Sequence, residues 1–407
     1  MSLKVCYFLP RLLPGESGIL VGGCATNCVS LALELRRQGI EIELLAPVPK
    51  ESLEYLSGHP VREIVRPLSN VGTSLTGKGI GAIAMLRRSL KKRARKMCYD
   101  VVHSHSGTYP YSIVSLGASR ETCVRLHSLY CPLGAKGGVY RRWWEKSTAV
   151  RFLFDRLDKI IAVTGNIRQS IERAGVLSEK IEVIPMCVDT HRFRPRQEGN
   201  SDEYFPKESK GGRILFVGNA SNEKGLAELL KAVGILIRKG MSIFLVATIE
   251  NQSGIKKYSV GYETAKRLVN EMGFDRHVRF LDLVDSIENL YAESDLIVIP
   301  WNTSRGPSDY PMVALEGMAM GKCIISTPVG GCPELLKEGK AGILTEGFSA
   351  ESIAPALEFA ITHPEIRRQR GEAALEAASN FSLEKCGKRM LNLYERLLKE
   401  KISRNGK

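Results

Sequence analysis

Three stretches of this 407-residue chain have the residue types and spacing to hold a charged, hydroxyl-bearing ligand. In Arg213-Ile-Leu-Phe-Val-Gly-Asn-Ala-Ser-Asn-Glu-Lys-Gly-Leu, an apolar strand pattern stops at Gly218 and Lys224-Gly225 opens a helical one. A lysine there reaches over the carboxyl edge of the strand, where sheets of this kind bind ligands, and can neutralise a diphosphate. The plainer alternative is a solvated surface lysine. Further on, Ser308-Asp309-Tyr310-Pro311 ends where a helix begins, so amides near Met312 and Val313 are expected to face phosphate or sugar oxygens. Glu316 is placed on the first turn of that helix, among Leu315, Met318 and Ala319. A carboxylate in apolar surroundings needs a partner, and either ribose hydroxyls or a buried basic group would serve. The third stretch is weaker. Gly22 and Gly23 follow the first apolar run and open a helix, where glycine lets backbone N–H groups approach an anion. A merely structural tight turn is the alternative. The spacing is not Gly-x-Gly-x-x-Gly and no acid follows the next strand, so a nicotinamide fingerprint is absent.

The elements that must position these residues alternate. Leu3–Leu9 reads as a buried strand, a helix carries Cys24, Cys28, Leu31 and Leu35 up to Gly39, and Ile40–Ala46 is a second strand. Further strands are expected at 101–103, 123–126, 159–163 and 181–184. Between Phe193 and Gly212 the chain turns polar, with Pro195, Pro206, Gly199, Gly211 and Gly212, which reads as a linker. The alternation then restarts at Arg213, with helices expected at 226–238, 262–272 and 312–320, strands between them, two helical patterns over 350–379 and an amphipathic helix over 383–401. Short β-rich runs separated by helices indicate parallel sheets covered on both faces. The domains are therefore set at 1–195 and 213–380, with 196–212 between them and 381–407 packing back across both.

Composition narrows the setting. Hydrophobic content of 43% and charged content of 25% are those of an ordinary globular protein, and no apolar run is long enough to span a bilayer. Pro10 and Arg11 interrupt the N-terminal apolar stretch, so it reads as a first buried strand rather than a secretory signal, and a cytoplasmic location is expected. The ten scattered cysteines show no zinc or redox spacing and read as reduced thiols. A net charge of +14 favours anionic partners.

The dense segment from Pro300 to Glu334 resembles the family four retaining glycosyltransferases, which have the GT-B fold. Asp100-Val-Val-His-Ser-His, Lys159-Ile-Ile-Ala-Val-Thr, Lys180-Ile-Glu-Val-Ile-Pro-Met-Cys-Val-Asp and Val329-Gly-Gly-Cys-Pro-Glu are similar to family motifs in the same order, over nearly the whole chain. The resemblance implies an α/β chain of two doubly wound Rossmann-like domains facing a central cleft. It implies a nucleotide-sugar donor, UDP- or GDP-linked, and no other cofactor. Gly218, Asn219, Lys224, Ser308, Asp309, Tyr310, Pro311, Met312, Val313 and Glu316 would contact that donor, with Glu316 on the ribose, and Gly22 and Gly23 would approach its phosphates or the acceptor. His127, in Arg125-Leu-His-Ser, falls where the family places a histidine beside the transferred sugar; a satisfied histidine at a strand end is the alternative. His103 and His105 suit packing better than catalysis. The catalytic set implied is His127, Lys224 and Asp309. Four positions depart from the pattern. Ser308 stands where the family has a glutamate, and the adjacent Asp309 is expected to take over its contact to the sugar hydroxyls. Asn219 replaces an arginine, a charge that Arg305 is placed to restore, and Met186-Cys187 replaces Asn-Gly.

The resemblance further implies metal-independent transfer with retention of configuration, and no Asp-x-Asp metal signature is present. A nucleotide-sugar binder without transfer activity and a nucleotide-sugar 2-epimerase are the alternatives. The acceptor is expected to be a saccharide or lipid-linked, because residues 86–97 carry seven cations beside a stripe of Leu86, Leu90, Ala94 and Met97, and 140–151 add Trp143 and Trp144. Such segments can touch the inner face of an anionic membrane, and the alternative is a solvated helix face. With few aromatics and no recognition module, nucleic acid is not expected as a partner.

Overall fold

The computed structural model describes residues 3–12, 20, 22–48, 51–68, 79–118, 123–133, 147–196, 203–209, 211–249, 256–303 and 309–405. The chain divides into two units. One comprises residues 1–187, 307–309 and 383–407; the other comprises 188–306 and 310–382.

The first unit holds a seven-stranded sheet of β1 (Lys4–Phe8), β2 (Glu41–Ala46), β3 (Val65–Pro67), β4 (Val101–Ser106), β5 (Val124–Leu129), β6 (Lys159–Ala162) and β7 (Ile181–Val183) in the order 3-2-1-4-5-6-7. The second holds β8 (Arg213–Gly218), β9 (Phe244–Ile249), β10 (Val278–Leu281), β11 (Leu296–Ile299), β12 (Cys323–Ser326) and β13 (Ile343–Leu344) in the order 10-9-8-11-12-13. Every pairing is parallel, as buried Val, Ile and Leu runs with helical crossovers require. In each sheet the order reverses between the first strand and its inner neighbour, β1 against β4 and β8 against β11. The carboxyl ends of those strands are where a doubly wound sheet admits a ligand.

Three expectations are corrected. Residues 188–196 belong with the second unit, because the Val188 N–H donates to the Phe381 carbonyl at 2.8 Å and Arg192 pairs with Glu288 at 2.9 Å. The described part of the polar stretch is no slack tether either: Phe205 is buried and meets Phe244 edge-on, with centroids 6.3 Å apart. The C-terminal helix (Leu383–Asn405) is part of the first unit, burying Cys386, Met390, Leu393, Tyr394 and Leu397 in that unit's core.

Candidate functional site

In the second unit the carboxyl edges of β8 and β11 are joined by backbone. The Asn302 side-chain amide donates to the Asn222 carbonyl at 2.6 Å and its N–H to the Glu223 carbonyl at 3.3 Å. Gly225 closes this turn at φ +68°, with a Cβ-sized atom there meeting the Pro300 carbonyl oxygen at 1.7 Å, so only glycine fits. Lys224 is thereby held at the switch point, 9% exposed, with its Nζ 3.3 Å from the centroid of the Trp301 ring. The solvated-lysine alternative does not hold. Asn219, beyond Gly218, accepts from the Ser221 N–H at 3.1 Å and so shapes the turn.

Helix Met312–Ala319 follows Pro311, its N-cap, without a side-chain cap bond at that end. Tyr310 is buried edge-on against Phe381. Glu316 is the fifth residue of the helix, on its second turn rather than its first. It is partly buried, and its Oε2 accepts from the Tyr291 hydroxyl at 2.7 Å. Burial raises its pKa; the Tyr291 bond and Arg192 oppose the rise and Glu288 adds to it. The partner inside the protein is a phenol rather than the buried basic group that was the alternative to ribose, which leaves Oε1 as a hydrogen-bond acceptor.

In the first unit Gly22 is the N-cap of helix Gly23–Arg37, at φ +103° and ψ +123°, with open space where a Cβ would lie. Gly23 is the first residue of that helix, with no side-chain cap over it. The first-unit histidines are enclosed. His103 bonds the Tyr394 hydroxyl through Nδ1 at 2.7 Å and the Ser128 hydroxyl through Nε2 at 2.9 Å. His105 bonds the Tyr130 hydroxyl at 3.0 Å and stacks on His103 with centroids 4.1 Å apart. His127 meets the Ser104 hydroxyl at 2.8 Å through Nδ1, and its buried Nε2 has no hydrogen-bond partner. Burial drives its pKa down to about 3 against a small opposing effect of the Thr108 backbone, so the ring is neutral at physiological pH.

Asp309 is the clearest correction at the site. It is 2% exposed, its carboxylate accepts from the Thr164 hydroxyl at 2.6 Å and the Asn166 amide at 3.2 Å, and its own N–H donates to the Tyr130 carbonyl at 2.7 Å. These bonds lie within the first unit and engage the carboxylate that was expected to meet sugar hydroxyls. Ser308 and Arg305 lie outside the described residues, as do Gly18 and 140–146. In helix 79–97 Leu86 and Leu90 are buried in the first unit's core and Ala94 and Met97 pack against it, so the helix covers that unit with a cationic outer face. Among the described residues no helix is long and apolar enough to cross a membrane.

Sequence reasoning passed over Trp301, Tyr291 and Tyr130. Trp301 carried a local signal, since it is an aromatic directly after a strand-end proline in the densest segment. The other two carried none, as their partners are distant in the chain.

Two family models match the chain in succession, Glycosyltransferase Family 4 over residues 21–192 and Glycosyl transferases group 1 over residues 211–363. The D-inositol 3-phosphate glycosyltransferase of Corynebacterium diphtheriae is 24% identical, covering 95% of this chain and 92% of that one. Its counterpart from Corynebacterium glutamicum is 26% identical, covering 92% and 91%. Among solved structures, a glycosyltransferase of Rickettsia africae superposes with TM-score 0.76 at 19% identity, covering 98% of this chain and 99% of its own. Anabaena HepE, solved with UDP-glucose, gives 0.75 at 18%, covering 97% and 100%. With both halves matched in order and two parallel Rossmann-like sheets present, the chain is a glycosyltransferase of the GT-B fold and belongs to the family 4, group 1 glycosyltransferases.

Proposed function

We propose that the chain transfers a sugar from a UDP- or GDP-linked donor with retention of anomeric configuration and without a metal ion. The observation that carries this reading is the burial of Lys224 at the β8–β11 switch point, where backbone bonds hold it before any ligand arrives. Its ammonium neutralises the charge that develops on the diphosphate as the bond to the anomeric carbon breaks. The acceptor hydroxyl forms the new bond on the face the diphosphate leaves, and its proton passes to a leaving phosphate oxygen. Glu316 receives a ribose hydroxyl on Oε1 while Tyr291 fixes Oε2. Amides at Met312 and Val313, with Gly218, complete the donor site of the second unit.

Acceptors to test are saccharides, lipid-linked sugars and a phosphorylated polyol, the last suggested by the names of the curated relatives. Contact with an anionic membrane would rest on charge alone, since the apolar stripe of 86–97 is in the core.

The test is a thermal shift of the whole chain against UDP, GDP and ADP and their sugar conjugates. A ligand at about 100 times its Kd adds roughly 2.7 kcal/mol. One base is expected to give the shift, and Lys224→Ala to lose it. No shift with any nucleotide would sink the donor site as described.

A further inference from the structure

The segment Val188-Asp189-Thr190-His191-Arg192-Phe193 has no role in the reading above. It folds as a turn capped by its own aspartate. The Asp189 Oδ1 accepts from the His191 N–H at 2.9 Å and from the Arg192 N–H at 3.0 Å, and the Asp189 carbonyl accepts from the Phe193 N–H at 2.8 Å. An aspartate that bonds the backbone two and three residues on fixes such a turn locally. The turn is joined to helix Ile287–Glu293 of the same unit. Arg192 donates to the Glu288 Oε2 from Nε at 3.0 Å and from Nη2 at 2.9 Å, and Nη2 also donates to the Asp285 carbonyl at 3.3 Å, just ahead of that helix. Phe193, itself buried, meets the Tyr291 ring edge-on with centroids 5.8 Å apart. Tyr291 is the residue whose hydroxyl donates to Glu316. The turn therefore holds the helix by its first turn and by the ring of the phenol.

Charge acts in the same direction. Burial of Glu316 favours its neutral form. The groups that act on its charge are Tyr291 and Glu288 from helix Ile287–Glu293 and Arg192 from the turn; its own helix, Met312–Ala319, carries no other ionisable side chain. Tyr291 and Arg192 favour the ionised form, and Glu288 opposes it. Arg192 thus acts twice, as the cation of this set and as the ion-pair partner of the opposing carboxylate.

We propose that Arg192 is a positioning residue for nucleotide binding, bracing the helix that carries Tyr291 so that the Glu316 carboxylate is fixed and charged before a ribose hydroxyl reaches it. The proposal rests on Glu316 receiving the ribose, and Arg192 acts only through Tyr291 and Glu316. A hydrogen bond to a carboxylate is about twice as strong as one to a neutral acid, so a protonated Glu316 holds a hydroxyl less tightly. Loss of Arg192 raises the pKa of Glu316 further, and on acidification the contact is then weakened from a higher pH downwards.

The experiment measures UDP and GDP binding to the full chain by titration calorimetry between pH 5 and pH 8. The proteins are the wild type, Arg192→Gln, Arg192→Lys, Glu316→Gln and the Arg192→Gln/Glu316→Gln double variant. The diphosphate titrates in this range too, so each variant is read as a ratio to the wild type at the same pH. Arg192→Gln is expected to weaken the binding nucleotide about fivefold near pH 5.5 and about twofold at pH 8. Arg192→Lys, which keeps the charge, is expected to recover most of the loss at low pH. In the Glu316→Gln background Arg192→Gln should change affinity no further at any pH, because its route of action is gone. Wild-type affinity in Arg192→Gln overturns the proposal while a loss in Glu316→Gln leaves the ribose contact standing. A loss that is equal at every pH, or that persists with glutamine at 316, also overturns it and would mark a packing role. If Glu316→Gln itself binds as the wild type, the ribose contact fails first and the proposal falls with it. Should Arg192→Gln not fold, Arg192→Met takes its place against Arg192→Lys.

Discussion

His103, His105 and His127 are 0% exposed, and burial lowers the pKa of each. The unfolded chain therefore binds protons near pH 6.5 that the folded one refuses until about pH 3 in the case of His127. Stability is whole above the unfolded value and declines as pH falls below it, by about 1.4 kcal/mol per pH unit for each histidine. The expected outcome is a first unit whose urea midpoint drops between pH 7.5 and pH 5.5, with His127→Asn reducing the drop by roughly a third. An unchanged midpoint would contradict the enclosure of these rings. A strand end and a helix start singled out Lys224 as a candidate, and the family resemblance singled out His127. Neither could show that Asp309 is held by Thr164, 145 residues away, or Glu316 by Tyr291, 25 away. Type and spacing report what a side chain can do, while its neighbours decide whether that capacity is already used.

Helix Gly79–Met97 shows the same division at the scale of an element. Its pattern correctly marked Leu86, Leu90, Ala94 and Met97 as one face and the cations as the other. The choice between a membrane and the protein's own core as the apolar partner was open until the sheet was in place. Arg93 now grips Glu43 with two bonds, at 2.6 and 2.8 Å, and Glu43 also accepts from Tyr99 and Arg66. These contacts tie the helix to the sheet and leave Arg87, Arg88, Lys91, Lys92, Arg95 and Lys96 exposed. Binding to vesicles rich in anionic lipid is expected to be strong at low salt and lost near 1 M, where the screening length shrinks to about 3 Å. Lys91→Glu with Lys92→Glu should abolish it. Binding that survives high salt would require apolar insertion and contradict the burial of the stripe.

The largest scale is set by contacts between the ends of the chain. The Tyr394 hydroxyl on the C-terminal helix lies 2.9 Å from that of Tyr7 on β1 and 2.7 Å from His103 on β4, and Lys401 donates to the Cys123 carbonyl and to Asp158, both at 2.7 Å. Chain numbered after the second sheet thus completes the core of the first. Tyr394→Phe leaves a buried phenol and a buried imidazole short of a partner, so it should lower the first unit's stability by about 1–3 kcal/mol. Denaturant titration would show it, and a loss below about 0.5 kcal/mol would mean that the two groups find other partners.

The sequence by itself determined the class of fold and the order of its strands and helices, and it marked the segments proposed to meet a donor. Hydrophobic periodicity, glycine turns and helix starts act over a few residues, and family motifs keep their order along the chain. Only the tertiary structure decided that Lys224 rests on Trp301, that Asp309 is already bonded, that the cationic helix turns its apolar face inward, and that the last helix belongs with the first sheet. Those outcomes depend on which distant side chains compete for the same few ångströms of buried space, and no local pattern records that competition.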